Sequence, residues 1–546
     1  MAGNARVREG CTFCVCKSIH VSLRACSRSW LPRRIGPRFA MAERKRKLTQ
    51  LDSLRRRTPH CSQSALDKII QHLKQTGLPD LHNRRDMREA RDAHITERTP
   101  YGPISRDIEW VKAHPGKPPQ RMLIAHPLAM LWQAYNKCAP FREFVHERLA
   151  VEGCTPEKPW NMALYCDEVQ PGDQLGGRKL RKFQAVYYTF IEFGHAALSC
   201  EDMWFTLCTQ RSTVVATYPG KMAVLFGTIL RDLFVDGPMT DIGFELSHGE
   251  RRTRMYVKLG IFIMDGAAHK STWHCKGESG STFCILDRNA YSSMSRVTEE
   301  DGSEMLQCNI NTHAELDLAT SAELRDTIRR LEAFRLTDSA NSFAMREKAL
   351  GFTYEPYNML SDSSLDNVLH LEAQFLHDWM HMIFVTGVWN LVFNVVLEAI
   401  RPEIAGNIYT LLYGYIAQWV WPKRVGGMKL HELFTETKRT ANAKVGHVKC
   451  SASEGLSLYA VCAHFFATVV QRAGKCVVEI EAYSALCDVI DCLVATGKDL
   501  VESDTLLNAV ETFLDKFDTA FGFDWSTPKF HWLLHFSDFH NKFKTH

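Results

Sequence analysis

Hydrophobic and polar positions change their spacing along this chain, and each change marks a different kind of element. Residues 63–115 are polar with helical character, and residues 126–153 place apolar side chains at the spacing of a packed helix. Between residues 160 and 265, short apolar runs bounded by turn residues predict strands. From residue 316 onward the pattern is almost wholly helical. We therefore predict an α/β region followed by a large helical region.

The α/β region has a definite order of elements. Strands are predicted at residues 160–169, 183–193, within 203–218 and at 252–265, with a helix at 220–234. Asp167 and Asp265 end the first and the fourth of these strands. Strand, strand, strand, helix, strand is the order of the ribonuclease H core, in which adjacent central strands would bring the two acids together. We predict a ribonuclease-H-like fold with Asp167 and Asp265 as its acidic centre.

Neighbouring carboxylates repel one another, and divalent cations usually keep them together. Two Mg²⁺ ions about 3.5–4 Å apart can activate a water and stabilise the leaving oxygen in phosphodiester cleavage. Asp167 and Asp265 are therefore candidate catalytic ligands of two Mg²⁺ ions. The alternative is that both are ordinary acids at the ends of strands.

Basic charge is concentrated in two segments. Residues 1–57 contain fifteen Lys and Arg against three acids, although the net charge of the whole chain is only +4. This leader predicts a nuclear-import or phosphate-contacting arm, a mitochondrial presequence, or a disordered tail with no role. The second segment follows Asp167 and consists of Arg178, Lys179, Arg181 and Lys182. It would contact DNA phosphates, or else it is a solvated turn.

Cysteine and histidine spacing indicates a second site. Cys284 and Asp287 are followed by Cys308 and His313, which approaches the ligand spacing of a structural Zn²⁺ site with Asp in place of a second Cys. The alternative is free thiols in a loop, since reduced cysteines are expected inside a cell.

A pair of histidines allows a further alternative. His377 and His381 have the i, i+4 spacing of a zinc-protease helix, but Asp378 replaces the Glu that would act as general base. Two uncharged apolar stretches, 382–397 and 405–422, contain Asn, Gln or Pro. We expect them to be buried helices, not membrane spans.

Five segments in order resemble the catalytic region of DDE-type DNA transposases of the CACTA (En/Spm-like) and Plavaka group, from about residue 125 to the C terminus. They are ALYCDEVQPGDQLGGRK, RMYVKLGIFIMDGAAHKSTWHCKGESGSTFCILDRN, LHDWMHMIFVTGVWNLV, KCSASEGLSLYAV and STPKFHWLLHF. The resemblance implies that Asp167 and Asp265 are metal ligands of an enzyme that cuts and joins DNA. It implies Glu454 or Asp378 as the third catalytic acid, and Asp378 and His381 belong to the family's Asp-x-Met-His signature.

The resemblance also implies transposon ends and target DNA as partners, a homo-oligomer and a nuclear location. Members of the family continue past the position of His546, so we expect a truncated chain. The alternative function is a decayed or domesticated relative that binds DNA or protein without cutting, and a membrane-associated helical protein is less favoured. The expected divisions are a basic disordered leader at 1–60, a helical region at 61–155, the ribonuclease-H-like core at 156–270, a Cys/His knuckle-like insertion at 271–315 and a helical region at 316–546.

Overall fold

The structure is a computed structural model. It describes residues 63–78, 83–95, 97–109, 121–170, 182–239, 242–292, 296–298, 304–306, 311–421, 425, 429–496 and 500–544. The expected leader at 1–60 lies outside the described residues, as do Arg178, Lys179, Arg181 and Cys308. The chain divides into two compact units, with a boundary between Glu97 and Arg98.

Two helices make up the described part of the first unit, α1 (Gln63–Thr76) and α2 (Arg84–Ile95). The second unit begins with two antiparallel hairpins. Their strands are β1 (Arg98–Thr99), β2 (Gly102–Pro103), β3 (Ser105–Glu109) and β4 (Arg121–Ala125).

The single helix predicted over 126–153 is two helices, α3 (Pro127–Lys137) and α4 (Ala139–Glu152). Cys138 is extended and separates them. Pro140 lies in the first turn of α4, where its missing N–H is not needed.

The remaining strands and helices follow in the second unit. The strands are β5 (Trp160–Val169), β6 (Phe183–Phe190), β7 (Phe205–Arg211), β8 (Phe244–His248), β9 (Arg251–Met255), β10 (Val257–Met264), β11 (Arg296–Thr298), β12 (Glu304–Leu306) and β13 (Phe375–His377). The helices are α5 (His195–Leu198), α6 (Ser212–Val215), α7 (Met222–Leu230), α8 (Gly266–Trp273), α9 (Ser321–Thr337), α10 (Ala340–Leu350), α11 (Leu371–Gln374), α12 (Trp379–Phe384), α13 (Val388–Ile400), α14 (Ile408–Ala417), α15 (Glu436–Val445), α16 (Ala452–Phe465), α17 (Val477–Thr496), α18 (Ser503–Phe521), α19 (Pro528–Trp532) and α20 (Phe536–Lys544). The predicted mixed α/β class with a helical C-terminal region is confirmed.

A five-stranded mixed sheet lies at the centre of this unit, in the order β13–β10–β5–β6–β7. β5, β6 and β7 are antiparallel neighbours, whereas β10 runs parallel to both β5 and β13. β5 and β10 are covered on both faces, which explains why their sequences are nearly continuous apolar runs. Because β5 and β10 are parallel neighbours, their C-terminal ends lie at the same edge of the sheet.

The strand predicted over 252–265 is wrong in its extent. Its first part is β9, which pairs with β8 in a separate hairpin, and only its second part, β10, enters the central sheet. Arg251 and Arg252 are exposed in β9, whereas β10 is apolar and mostly buried. The change from charged to apolar residues marks the point where one strand ends and the other begins.

The helical region is not purely helical, because β13 lies within it and completes the central sheet. The bounds predicted for the core, 156–270, therefore leave out β13, the fifth strand of the central sheet. Two helical stretches, 379–400 and 452–470, are apolar and long enough for a membrane span by length and composition. In the fold, 72% of the first apolar window and 44% of the second are buried.

Candidate metal centres

Three acids lie at one level on neighbouring parallel strands and form what we call the acidic edge. The register aligns the residues that precede them, Cys166 of β5, Met264 of β10 and His377 of β13. The next residue on each strand is an acid: Asp167, Asp265 and Asp378. The alignment exists because β10 lies between two parallel neighbours.

Local hydrogen bonds fix the carboxylates. Asp265 caps α8, and its Oδ1 accepts a hydrogen bond from the Ala268 N–H at 2.6 Å. Asp378 caps α12 in the same way, accepting from the Met380 N–H at 2.8 Å, while its Oδ2 lies 2.8 Å from Nδ1 of His381. Side-chain caps of this kind satisfy backbone N–H groups that have no partner within the helix.

The acidic edge brings together side chains that can hold a cation. Ligand atoms of Asp167, Asp265 and His381 lie within 4.8 Å of one another. All three side chains are partly exposed, so solvent and a substrate can reach them.

The electrostatics of the acidic edge favour added positive charge. Burial raises the pKa of Asp167, and the nearby Asp265 and Asp378 raise it further, against the opposing effect of His381. The hydrogen bond that His381 donates to Asp378 raises the pKa of His381, and the two other acids act in the same direction. The three acids therefore favour a positive charge on the His381 imidazole.

Glu454, the first choice for the third acid, has a different position. It begins α16 in a capping box, where its carboxylate accepts hydrogen bonds from the N–H and hydroxyl of Ser451 at 2.7 and 2.8 Å. The described side chains that group with Asp167 and Asp265 do not include it. Asp378, the second choice, is the acid that the fold brings to this edge.

The predicted DNA-contacting run is represented in the described residues by Lys182 alone. Its ammonium forms an ion pair with Glu168, which follows Asp167 on β5. Lys182 thus lies beside the acidic edge, with its charge already matched by a carboxylate.

A second group of side chains, which we call the buried cluster, consists of Cys284, Asp287, His531 and His535. Oδ2 of Asp287 lies 2.8 Å from Nε2 of each histidine, and Sγ of Cys284 lies 3.5 Å from Nε2 of His535. All four residues are buried, and their ligand atoms lie within 4.8 Å of one another. The cluster can hold a metal ion.

In the buried cluster, one carboxylate is paired with two imidazoles. Burial raises the pKa of the Asp287 carboxyl, but the two imidazoles outweigh this effect and hold it far below its ordinary value. Burial lowers the pKa of His531 and His535, and the bonds to Asp287, with the Cys284 thiol, more than reverse this. Oδ1 of Asp287 is buried with no hydrogen-bond partner among the described residues. An unpaired buried carboxylate oxygen is costly, and a cation would relieve that cost.

Two of the four predicted ligands lie in the buried cluster, and one does not. Cys284 and Asp287 lie in the cluster, but the imidazole of His313 lies 2.8 Å from the Asp538 carboxylate instead. Cys308 lies outside the described residues. His531 and His535 take the remaining positions from 244 and 248 residues away, so spacing near Cys284 could not find them. The signal in the sequence was their own i, i+4 spacing in the late helical segment.

The i, i+4 pair His377 and His381 does not form a metal site. His377 ends β13 and α12 begins at Trp379, so the two histidines do not share a helix. His377 is buried and stacks on Trp532, with ring centroids 4.4 Å apart. This geometry removes the zinc-protease alternative.

Comparison with known proteins does not assign the chain to a family. No protein-family model matches the sequence, and no curated protein is significantly similar to it.

Proposed function

We propose that the chain is a transposase-like enzyme of the DDE type, and that its acidic edge uses divalent cations to cut and join DNA strands. The observation that carries this proposal is the common level of Asp167, Asp265 and Asp378 on three neighbouring parallel strands. Carboxylates held this close repel one another, and binding cations is the usual reason for keeping them together.

The order of elements supports a ribonuclease-H-like interpretation of the sheet. Three antiparallel strands come first, the helix α7 follows, and β10 then lies beside β5 and parallel to it. This is the order that the sequence predicts for the ribonuclease H core. The two acids that the transposase resemblance implies as metal ligands stand on these two central strands.

The ligand types suit Mg²⁺ or Mn²⁺, which prefer carboxylate oxygens. Two bound cations would supply an activated water and stabilise the leaving oxygen of a phosphodiester. Asp167 and Asp265 would hold them. Asp378 orients the His381 ring through Nδ1, which leaves Nε2 to hold or release a proton beside the reacting oxygens.

We also propose that the buried cluster holds a structural zinc ion. Thiolate, imidazole and carboxylate are ligands of Zn²⁺, and four protein ligands with no open position are typical of its structural sites. The thiol of Cys284 argues against Mg²⁺ or Ca²⁺, which prefer oxygen. The unpartnered Oδ1 of Asp287 supports a cation at this position. Metal analysis of the purified chain should give about one zinc per chain, and Cys284→Ser should lower that number.

The test of the catalytic proposal is nicking of a supercoiled plasmid by the full chain in the presence of Mg²⁺ or Mn²⁺. We expect the wild-type chain to cut and Asp265→Asn to lose at least about 100-fold in rate while it still binds DNA. Cleavage by Asp265→Asn at the wild-type rate would refute the assignment.

A matched pair of variants identifies the third acid. Asp378→Asn should abolish cleavage, although Asn can still cap α12. Glu454→Gln should cut normally, because Gln serves equally well in a capping box. The opposite result would assign the role to Glu454.

A second candidate is a relative that binds DNA or protein without cutting. The observation in its favour is that both oxygens of Asp378 already have partners, the Met380 N–H and His381. Binding of Mn²⁺ and DNA without any nicking, under conditions that vary the metal and pH, would support this candidate.

A further inference from the structure

One short helix connects the acidic edge with the buried cluster. α19 carries His531 of the cluster, and two of its other residues, Lys529 and Trp532, contact the segment that holds Asp378 and His381. The two centres are thus joined by direct contacts, although the sequence separates them by about 150 residues.

Lys529 closes the C-terminal end of α12. Its Nζ donates hydrogen bonds to the carbonyl oxygens of Val385 and Thr386, both at 3.1 Å, and to that of His381 at 3.4 Å. The last carbonyls of a helix have no partner within it, and a cation there also complements the helix dipole. The three N–H groups of one ammonium therefore satisfy the end of the helix that begins at Asp378.

The turn after α12 needs such support. Thr386 has a φ of +49°, which is unfavourable for a β-branched residue. Gly387 follows so closely on the helix that a Cβ there would lie 2.3 Å from the carbonyl oxygen of Met382. The lysine thus stabilises a strained turn at the far end of α12.

Trp532 supports the other end of the same segment. Its indole stacks on the imidazole of His377 at a 25° angle between the rings. His377 is the last residue of β13 and directly precedes Asp378. The helix α19 therefore contacts the segment 377–386 on both sides of the Asp378–His381 pair.

We propose that Lys529 and Trp532 are positioning residues, through which the buried cluster sets the geometry of Asp378 and His381 for cation binding at the acidic edge. This inference rests on the proposed function, since it assumes that the acidic edge binds divalent cations. A metal in the buried cluster would fix His531 and His535, and thereby the helix from which Lys529 and Trp532 extend. Occupancy of the structural site and cation affinity at the acidic edge would then be linked.

The experiment is titration of the full, zinc-loaded chain with Mn²⁺ by calorimetry. Lys529→Met keeps the apolar stem but removes the charge, and we expect it to raise the Kd for Mn²⁺ about tenfold, as loss of an outer ligand contact does at other metal sites. Lys529→Arg, which retains the cation, should recover part of the affinity. Lys516→Met, at an exposed lysine of α18 that pairs with Glu481, is the matched control and should bind as the wild type does.

The outcomes separate the two proposals. Mn²⁺ binding that is absent in the wild type, or unaffected by Asp265→Asn, refutes the proposed function of the acidic edge. Mn²⁺ binding that needs Asp265 but is unchanged in Lys529→Met refutes the positioning role. If Lys529→Met does not fold, the pair Trp532→Phe and Trp532→Leu replaces it. The first retains an aromatic stack on His377 and should bind Mn²⁺ more tightly than the second, and equal affinities would overturn the inference.

Discussion

The acidic edge and the buried cluster use overlapping ligand types in opposite surroundings. The acidic edge is partly exposed, and two of its acids, Asp265 and Asp378, cap the helices that follow their strands. The buried cluster is closed, and it joins a loop to a helix nearly 250 residues later. Structural metal sites are usually closed, whereas catalytic ones keep an open position. On the proposed function, burial more than ligand chemistry therefore distinguishes a substrate site at the acidic edge from a structural site in the buried cluster.

The strongest test of this contrast is His535→Ala. It removes one of two imidazoles that neutralise the buried Asp287 carboxylate, and breaking a buried ion pair costs about 3–5 kcal/mol. We expect a loss of that order in the free energy of unfolding, measured in urea, together with loss of the zinc that we propose for this cluster. Asp378→Asn at the acidic edge should change stability by less than about 1 kcal/mol, because Asn also caps helices well. If both variants lowered the free energy of unfolding equally, the contrast between a stabilising cluster and an acidic edge with little effect on stability would be refuted.

Chelation tests the same contrast without a mutation. Dialysis of the native chain against EDTA should strip Mn²⁺ from the open acidic edge within minutes. Metal in the buried cluster should stay until urea unfolds the chain, because its ligands are inaccessible to the chelator. Metal analysis before and after unfolding measures both. Release of both metals at one rate from the native chain would show that the buried cluster is open in solution.

Low pH should destabilise the packing between the acidic edge and the buried cluster. Burial lowers the pKa of His269 to about 3, and its ring stacks on Phe375 and meets His377 edge-on. The folded state therefore resists protonation, while the unfolded state binds the proton below the ordinary value near 6.5. Stability contributed by the neutral ring is present above pH 6.5 and is lost as the pH falls toward 3.

The corresponding variant is His269→Phe, which keeps the stack but cannot be protonated. We expect the difference in unfolding free energy between pH 7 and pH 5 to shrink by about 1–2 kcal/mol relative to the wild type. The exposed His370→Phe is the control and should leave the pH dependence unchanged. A wild-type pH dependence in His269→Phe would show that other groups dominate acid unfolding.

The smallest expected effect is a gain in stability. The pKa of Asp167 is raised, chiefly by burial, so folding disfavours its ionised form at neutral pH. Asp167→Asn should raise Tm by about 1–2 °C in metal-free buffer while cation binding is lost. Asp515→Asn, at an exposed position on α18, should leave Tm unchanged. A lower Tm in Asp167→Asn would mean that the carboxylate stabilises the fold.

Local patterns in the sequence predicted one strand of the acidic edge in full, one in part and one not at all. The strand predicted at 160–169 is confirmed in its full extent, because an apolar run without breakers is buried on both faces. β13 escaped prediction, since three residues carry no periodicity. The placement of Asp378 depends on that strand, so its role could not be ranked above Glu454 from the residues alone.

Two other differences between prediction and structure have separate causes, one local and one long-range. Ser451-x-x-Glu454 is the pattern of a capping box, which explains that carboxylate without any catalytic role. The sequence shows His531 and His535 as an i, i+4 pair. No pattern near residue 287 indicates that these histidines are the partners of Asp287. Pairings across 244 and 248 residues depend on the fold as a whole.

That separation has a consequence during synthesis. Asp287 leaves the ribosome 248 residues before His535, a delay of roughly 12–50 s at about 5–20 residues per second. Until then Cys284 and Asp287 lack both histidines of the buried cluster, and Lys529 and Trp532 do not yet exist. On the proposed function, a nascent chain cannot assemble its cutting centre before α19 has left the ribosome. Synthesis of α19 would therefore set the earliest time at which the acidic edge could become active.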